Sequence, residues 1–268
     1  MCPDSPDPVL AAADLLWQSW QTGRAIGFLP AALRPGTRQA GYAVQARLEA
    51  RSAQPLYGWK IAATSEAGQR HIGVSGPLAG RLLAERVHRV GEPFSMAGNR
   101  MAVAEPEFAW VLGADLAPGP QPRPVAAVMA AVDALRLAIE VPNSRFVDFV
   151  HAGEAQLIAD NACAHDFLEG PEALGDWRTQ DLVHHRVTAS VTGRTRTYTR
   201  EGVGAQVLGD PRMALAWLVN ELNAQGLTLR AGQVITTGTC MPPLEIEAGD
   251  EVLADFGSLG RVGARFTD

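Results

Sequence analysis

The run Val103-Ala104-Glu105-Pro106-Glu107-Phe108-Ala109-Trp110-Val111-Leu112 sets two carboxylates two residues apart in an otherwise apolar stretch. Read as a strand, it puts Glu105 and Glu107 on one face, with Cα atoms about 6.5 Å apart. Neighbouring carboxylates in apolar surroundings repel each other and lose hydration. They therefore need a proton, a cationic partner or a metal. A third acid, Glu140, lies inside the apolar run Leu137-Ala138-Ile139-Glu140-Val141-Pro142. Three carboxylates converging on one point would form a hard-cation site, for which Mg²⁺ or Mn²⁺ is expected.

The 268 residues suffice for one large domain with a substantial core. A net charge of −6 with no Lys/Arg block argues against a nucleic-acid or anionic-membrane surface. No apolar run is long enough to span a bilayer, and Met1–Pro8 lacks the basic start and apolar core of a signal peptide. Cys2, Cys163 and Cys240 are odd in number and widely spaced, which fits neither a disulfide framework nor a zinc pattern. A reducing cytoplasm is expected.

Along the chain, Asp7-Pro8 caps a helix from Val9 to Thr22 that Gly23 ends, and Thr37 opens a second amphipathic helix. These two helices, over residues 1–55, read as a lid or packing layer on a core of residues 56–268. Leu56–Ala63 reads as a strand with Lys60 at its middle. Thr64 or Ser65 then caps a short helix carrying Glu66 and His71, and Arg81–Ala84 reads as a strand. Pro124 starts a helix expected to continue through Val132 and Leu135 up to the Glu140 strand. Val183–Thr199 alternates about Gly193-Arg194 as a hairpin, and Asp210-Pro211 caps a helix stopped by Gly226. Short strands fill the second half with helices outside them, so the class is α+β.

Gly58-Trp59-Lys60-Ile61, Glu105-Pro106-Glu107, Ile139-Glu140-Val141-Pro142-Asn143-Ser144-Arg145, Ala159-Asp160-Asn161-Ala162 and Gly257-Ser258-Leu259-Gly260 occur in this order. Together they resemble the fumarylacetoacetate hydrolase superfamily, in the branch of 2-keto-4-pentenoate hydratases and 4-oxalocrotonate decarboxylases. The likeness covers nearly the whole chain. It implies a mixed β-sandwich roll with N-terminal helices, a divalent metal on Glu105, Glu107 and Glu140, Lys60 beside it, and a homo-oligomer. It also implies a short 2-keto acid substrate, chelated through its 1-carboxylate and 2-oxo oxygens. Hydration of a 2-keto-4-pentenoate is the expected reaction, with decarboxylation of the 4-oxalocrotonate type as the alternative. Two departures bear on that choice. Leu78 stands where hydratases of this branch commonly carry an aspartate, which favours the decarboxylase, and Arg261 replaces a usual Ser.

Other candidates divide between chemistry and packing. Lys60, flanked by Trp59 and Ile61, reads as a proton shuttle or carboxylate partner rather than a lysine snorkelling to water. Glu66 and His71 could be the acid–base pair that C–C hydrolysis of an acylpyruvate requires, although five residues apart they are not helix neighbours. Asp160 could hold Lys60 or cap a turn. Cys163 and His165 replace small residues of the family and read as packed groups near the pocket, since Cys163 lacks the cationic setting of a reactive thiol. A ligand-binding relative without chemistry is the non-enzymatic alternative.

Overall fold

In a computed structural model, which describes residues 7–268, the chain opens with helices α1 (Pro8–Thr22) and α2 (Arg38–Glu49). Strand β1 (Gly58–Ala62), helix α3 (Glu66–Ile72), and strands β2 (Leu78–Leu82), β3 (Val87–Arg89), β4 (Phe94–Ser95) and β5 (Val103–Leu112) follow. The middle comprises α4 (Val125–Met129), β6 (Val132–Val141), α5 (Glu154–Ala159), β7 (Asp166–Glu172), β8 (Arg186–Thr192) and β9 (Thr197–Val203). The last part holds α6 (Pro211–Ala224), β10 (Val234–Thr239), β11 (Leu244–Glu245), β12 (Glu251–Asp255) and β13 (Arg261–Thr267). Cys2 and most of the segment read for a leader lie outside the described residues.

The caps foreseen are present. Asp7 and Thr37 accept from Val9 N and Ala40 N, and Ser65 accepts from Gly68 N. The hairpin about Gly193 is β8–β9.

One element departs from its periodicity. The apolar spacing of Val128, Val132 and Leu135 suits a helix, but α4 ends at Met129 and β6 begins at Val132. Strand pairing overrides local pattern there, because Leu135 faces Trp110 of β5 in register and β6 also pairs β7. The strand expected from Arg81 lies a little earlier, as β2.

Two sheets form the α+β body. The larger runs β2-β1-β10-β5-β6-β7-β3, with β11 added on β5, and the smaller runs β4-β13-β12-β8-β9. In the larger sheet β10 lies between β1 and β5, parallel to the first and antiparallel to the second. Alternation along β5 sends Phe108 and Trp110 to the face opposite the glutamates. There Phe108 meets Phe256 edge-on at 5.3 Å, and Trp110 meets Trp177 at 5.6 Å. Helix α2 packs on α5, where the buried Gln45 donates Nε2 to the carbonyls of Ala79 at 2.8 Å and Ile158 at 2.9 Å.

Candidate metal centre and its cavity

Four adjacent strands build the site on one face of the larger sheet, the charged groups coming from β1, β5 and β6 and their neutral partners from β10. Glu105 stands directly across from Glu140 in the β5–β6 register, and Glu107 follows on the same face. Lys60 pairs with Thr236 across β1–β10, and Thr236 with Ala109 across β10–β5. One carboxylate oxygen from each of Glu105, Glu107 and Glu140 lies within 4.8 Å of the others. Glu107 and Glu140 are fully buried, Lys60 nearly so, and Glu105 is partly exposed.

Partners fix the direction of each group. Lys60 Nζ lies 2.9 Å from Glu140 Oε1 as a charge contact and donates to the carbonyl of Ala162 at 3.0 Å. Glu107 Oε2 accepts from the Thr236 hydroxyl and from Gly238 N at 2.7 Å. That amide is available because β10 shifts register between Thr236 and Thr239, with Gly238 at φ +92. A Cβ on residue 238 would meet Thr64 Oγ1 at 2.3 Å, so the bulge requires glycine. Glu107 Oε1 and Glu140 Oε2 are buried and accept nothing. Unpaired buried carboxylate oxygens are costly unless a cation meets them. With all four groups ionised, three carboxylates against one ammonium leave two negative charges, which a single divalent cation balances. The donor set, oxygen only, suits a hard ion.

The electrostatics agree. Burial first, and the charge of Glu140 second, push Glu105 up to about 7. The same causes raise Glu107 well above the carboxylate range, and burial raises Glu140 against the pull of Lys60. Burial opposes the charge on Lys60, but the glutamates, Glu140 foremost, outweigh it and raise its pKa. The lysine is therefore an ammonium held in place and does not snorkel.

Lys60 and Glu105 form part of the wall of a cavity of about 700 Å³. Leu78, Cys163 and His71 also line it. Burial pushes the Cys163 thiol up to about 12, so it stays neutral. No residue of α1 or α2 is on this wall, whereas Ala67, Gly68, His71 and Ile72 of α3 are.

Other expected residues lie elsewhere. Glu66 is 88% exposed, pairs with Arg70 at 3.2 Å, and is absent from the wall, so Glu66 and His71 do not form a pair. His71 instead sets its ring edge against Phe149 at 6.4 Å. Asp160 does not hold Lys60. It accepts from Ser144 Oγ at 2.6 Å and from the backbone and guanidinium of the buried Arg145. His165 lies 2.9 Å from Asp166 and lines a separate cavity of about 340 Å³ with Trp20 and Arg145.

Three contributions escaped sequence reasoning. Thr236 and Gly238 hold Glu107, and the run Thr236-Thr237-Gly238-Thr239 was the available signal. The carbonyl of Ala162 is presented by a left-handed turn in which Asn161, Ala162 and Cys163 have φ of 55, 50 and 60°. Nothing in their residue types marks such a turn except Asn161, which tolerates that region.

Residues 83–267 match the family model described as fumarylacetoacetate (FAA) hydrolase C-terminal. The chain is 32% identical over 265 residues to a 2-keto-4-pentenoate hydratase from Burkholderia vietnamiensis, covering 97% of this chain and 98% of that one. Among solved structures it is similar to 4-oxalocrotonate decarboxylase from Pseudomonas putida G7, complexed with magnesium and adipate. That likeness has a TM-score of 0.85 at 27% identity and covers 99% of this chain and 100% of the other. A fumarylpyruvate hydrolase from Pseudomonas aeruginosa, in complex with Mn²⁺ and pyruvate, shares the fold at a TM-score of 0.57 and 15% identity, over 81% and 92% of the two chains.

Proposed function

Because the chain belongs to the fumarylacetoacetate hydrolase family, we propose that it is a divalent-metal-dependent lyase acting on a short 2-keto-enoic acid, a hydratase of the 2-keto-4-pentenoate type. The observation that carries this reading is the cluster of Glu105, Glu107 and Glu140, with oxygens within 4.8 Å of one another and Lys60 beside them. These residues would hold Mg²⁺ or Mn²⁺, which when bound supplies positive charge to the 1-carboxylate and 2-oxo oxygens of the acid. The chain's own residues do the rest. Lys60 keeps a proton at Nζ beside the acid end of the substrate, fixed by Glu140 and the Ala162 carbonyl. The mostly apolar wall packs against the conjugated tail and orients it for the water that adds, with residues of α3 forming part of that wall.

Decarboxylation is the second reading, supported by the buried Leu78 on the cavity wall, where an acid would otherwise be expected. Acylpyruvate hydrolysis would need an acid–base pair, and Glu66 is engaged with Arg70 instead. A non-catalytic relative would bind metal and ligand at the same carboxylates without turnover.

Residues 1–55 are taken as a helical segment packed on a 56–268 metal-binding roll of two curled sheets, one structural unit that assembles as a homo-oligomer. A cytoplasmic location accords with the free thiols of Cys163 and Cys240. No helix among the described residues is long and apolar enough to cross a membrane.

The deciding experiment gives Mg²⁺-loaded protein 2-hydroxypenta-2,4-dienoate, 2-oxohex-3-enedioate and acetylpyruvate, followed by ultraviolet absorbance and product mass. Water gain on the first is expected. Loss of CO₂ from the second alone would replace hydratase by decarboxylase, and cleavage of the third would make it a hydrolase. No turnover of any, with metal bound, would sink the lyase reading for these substrates.

A further inference from the structure

The cavity wall is mostly apolar, with Ile72, Leu78, Phe149, Leu157 and Met241 on it, and its uncharged polar members are Thr64, Ser65, Gln206 and Thr239. Five of its residues have ionisable or cationic side chains: Lys60, His71, Arg100, Glu105 and Cys163, whose thiol burial keeps neutral. Lys60 is engaged by Glu140 and the Ala162 carbonyl. Arg100 is exposed, lines the smaller cavity as well, and donates Nη2 to the carbonyls of Phe146 at 2.7 Å and Ser144 at 3.5 Å. His71 stands at the exposed rim with its ring against Phe149. Glu105 would repel an anion. Among the described residues, therefore, no buried cation is free to meet a second carboxylate, and an unpaired buried carboxylate is strongly disfavoured.

Size points the same way. At about 700 Å³ the cavity lies in the middle of the roughly 300–1,000 Å³ range of sites that enclose drug-sized ligands. A five-carbon keto acid leaves most of it unfilled. We infer that the site selects 2-keto acids whose far end is an apolar tail longer than the five-carbon skeleton, and that it discriminates against dicarboxylic ones. This inference rests on the function proposed above, and it names the far end of that substrate.

The test uses unreactive saturated 2-oxo acids, measured by calorimetry on Mg²⁺-loaded full-length protein. Affinity is expected to rise from 2-oxopentanoate through 2-oxohexanoate to 2-oxooctanoate, by up to about fourfold per buried methylene. 2-Oxoadipate, which matches 2-oxohexanoate except for its terminal carboxylate, is expected to bind at least about tenfold more weakly. Ile72→Lys, on the partly exposed α3, places a cation on the wall and should narrow or reverse that preference. Equal or tighter binding of 2-oxoadipate by the wild-type protein, or affinity independent of chain length, would overturn the inference while leaving the lyase reading intact. Failure of every 2-oxo acid to bind the loaded protein would overturn both.

Discussion

Glu107 gives one oxygen to the Thr236 hydroxyl and the Gly238 amide and keeps the other free, so its single unpaired oxygen has a set direction before any ion arrives. Glu107→Gln preserves the shape and removes the charge. It should weaken Mn²⁺ binding by about tenfold or more in calorimetry, since even outer partners of a metal ligand are worth 10–100-fold. Unchanged affinity would remove Glu107 from the ligand set. The carboxylates also set a pH dependence. Glu105 is raised from 4.5 in the unfolded chain to about 7 when folded. In metal-free protein its contribution to stability is therefore complete below about 4.5 and is lost as pH rises through about 7. Mg²⁺ offsets the repulsion that appears over that window, so the gain in Tm on adding it should be larger at pH 8 than at pH 5.5. A gain that is flat or falls with pH would contradict this. The three glutamates and Lys60 were legible because strand period and apolar flanks are local signals. Asp160 was not, since its partner Arg145 reaches it only through the fold.

The turn Asn161–Ala162–Cys163 is an element whose cost is visible, as each L-residue held left-handed costs roughly 1–2 kcal/mol. Asn161 anchors it to β2, accepting from Arg81 N at 2.7 Å and donating to Arg81 O at 2.9 Å, while Asn143 N binds the carbonyl of Cys163 at 2.9 Å. Asn161→Ala and Asn161→Gly both lose the anchor, but only alanine keeps the backbone penalty. The alanine variant should therefore be less stable than the glycine variant by about 1 kcal/mol in urea midpoints. Equal midpoints would mean the left-handed conformation stores nothing. At this scale the sequence was legible where polar caps or alternation act alone, as in α1, α2 and the β8–β9 hairpin. It misled at Val132–Leu135, where helical spacing met two neighbouring strands and pairing won.

Across the molecule, α1 and α2 join the rest through apolar packing of Leu16, Tyr42 and Val44 and through Gln45, which donates to Ala79 and Ile158 and accepts from the Arg81 guanidinium, with no exposure to solvent. Gln45→Leu would remove three buried hydrogen bonds, two to carbonyls and one from the Arg81 guanidinium, a loss of about 3 kcal/mol. The expected result is a clear fall in Tm with the metal affinity of the folded fraction retained, because no residue of these helices lines the cavity. A fall in metal affinity as large as the fall in stability would tie the helices to the site. The insertion of β10 between β1 and β5 has a consequence in the order of events during synthesis. Lys60 and all three glutamates have been made once residue 140 is added, yet β1 has no place beside β5 until residues 234–239 emerge and separate them. Such long-range pairing is slow to form. A ribosome-bound chain ending at residue 225 would carry every charged group of the centre and still lack the strand that aligns the lysine with the acids.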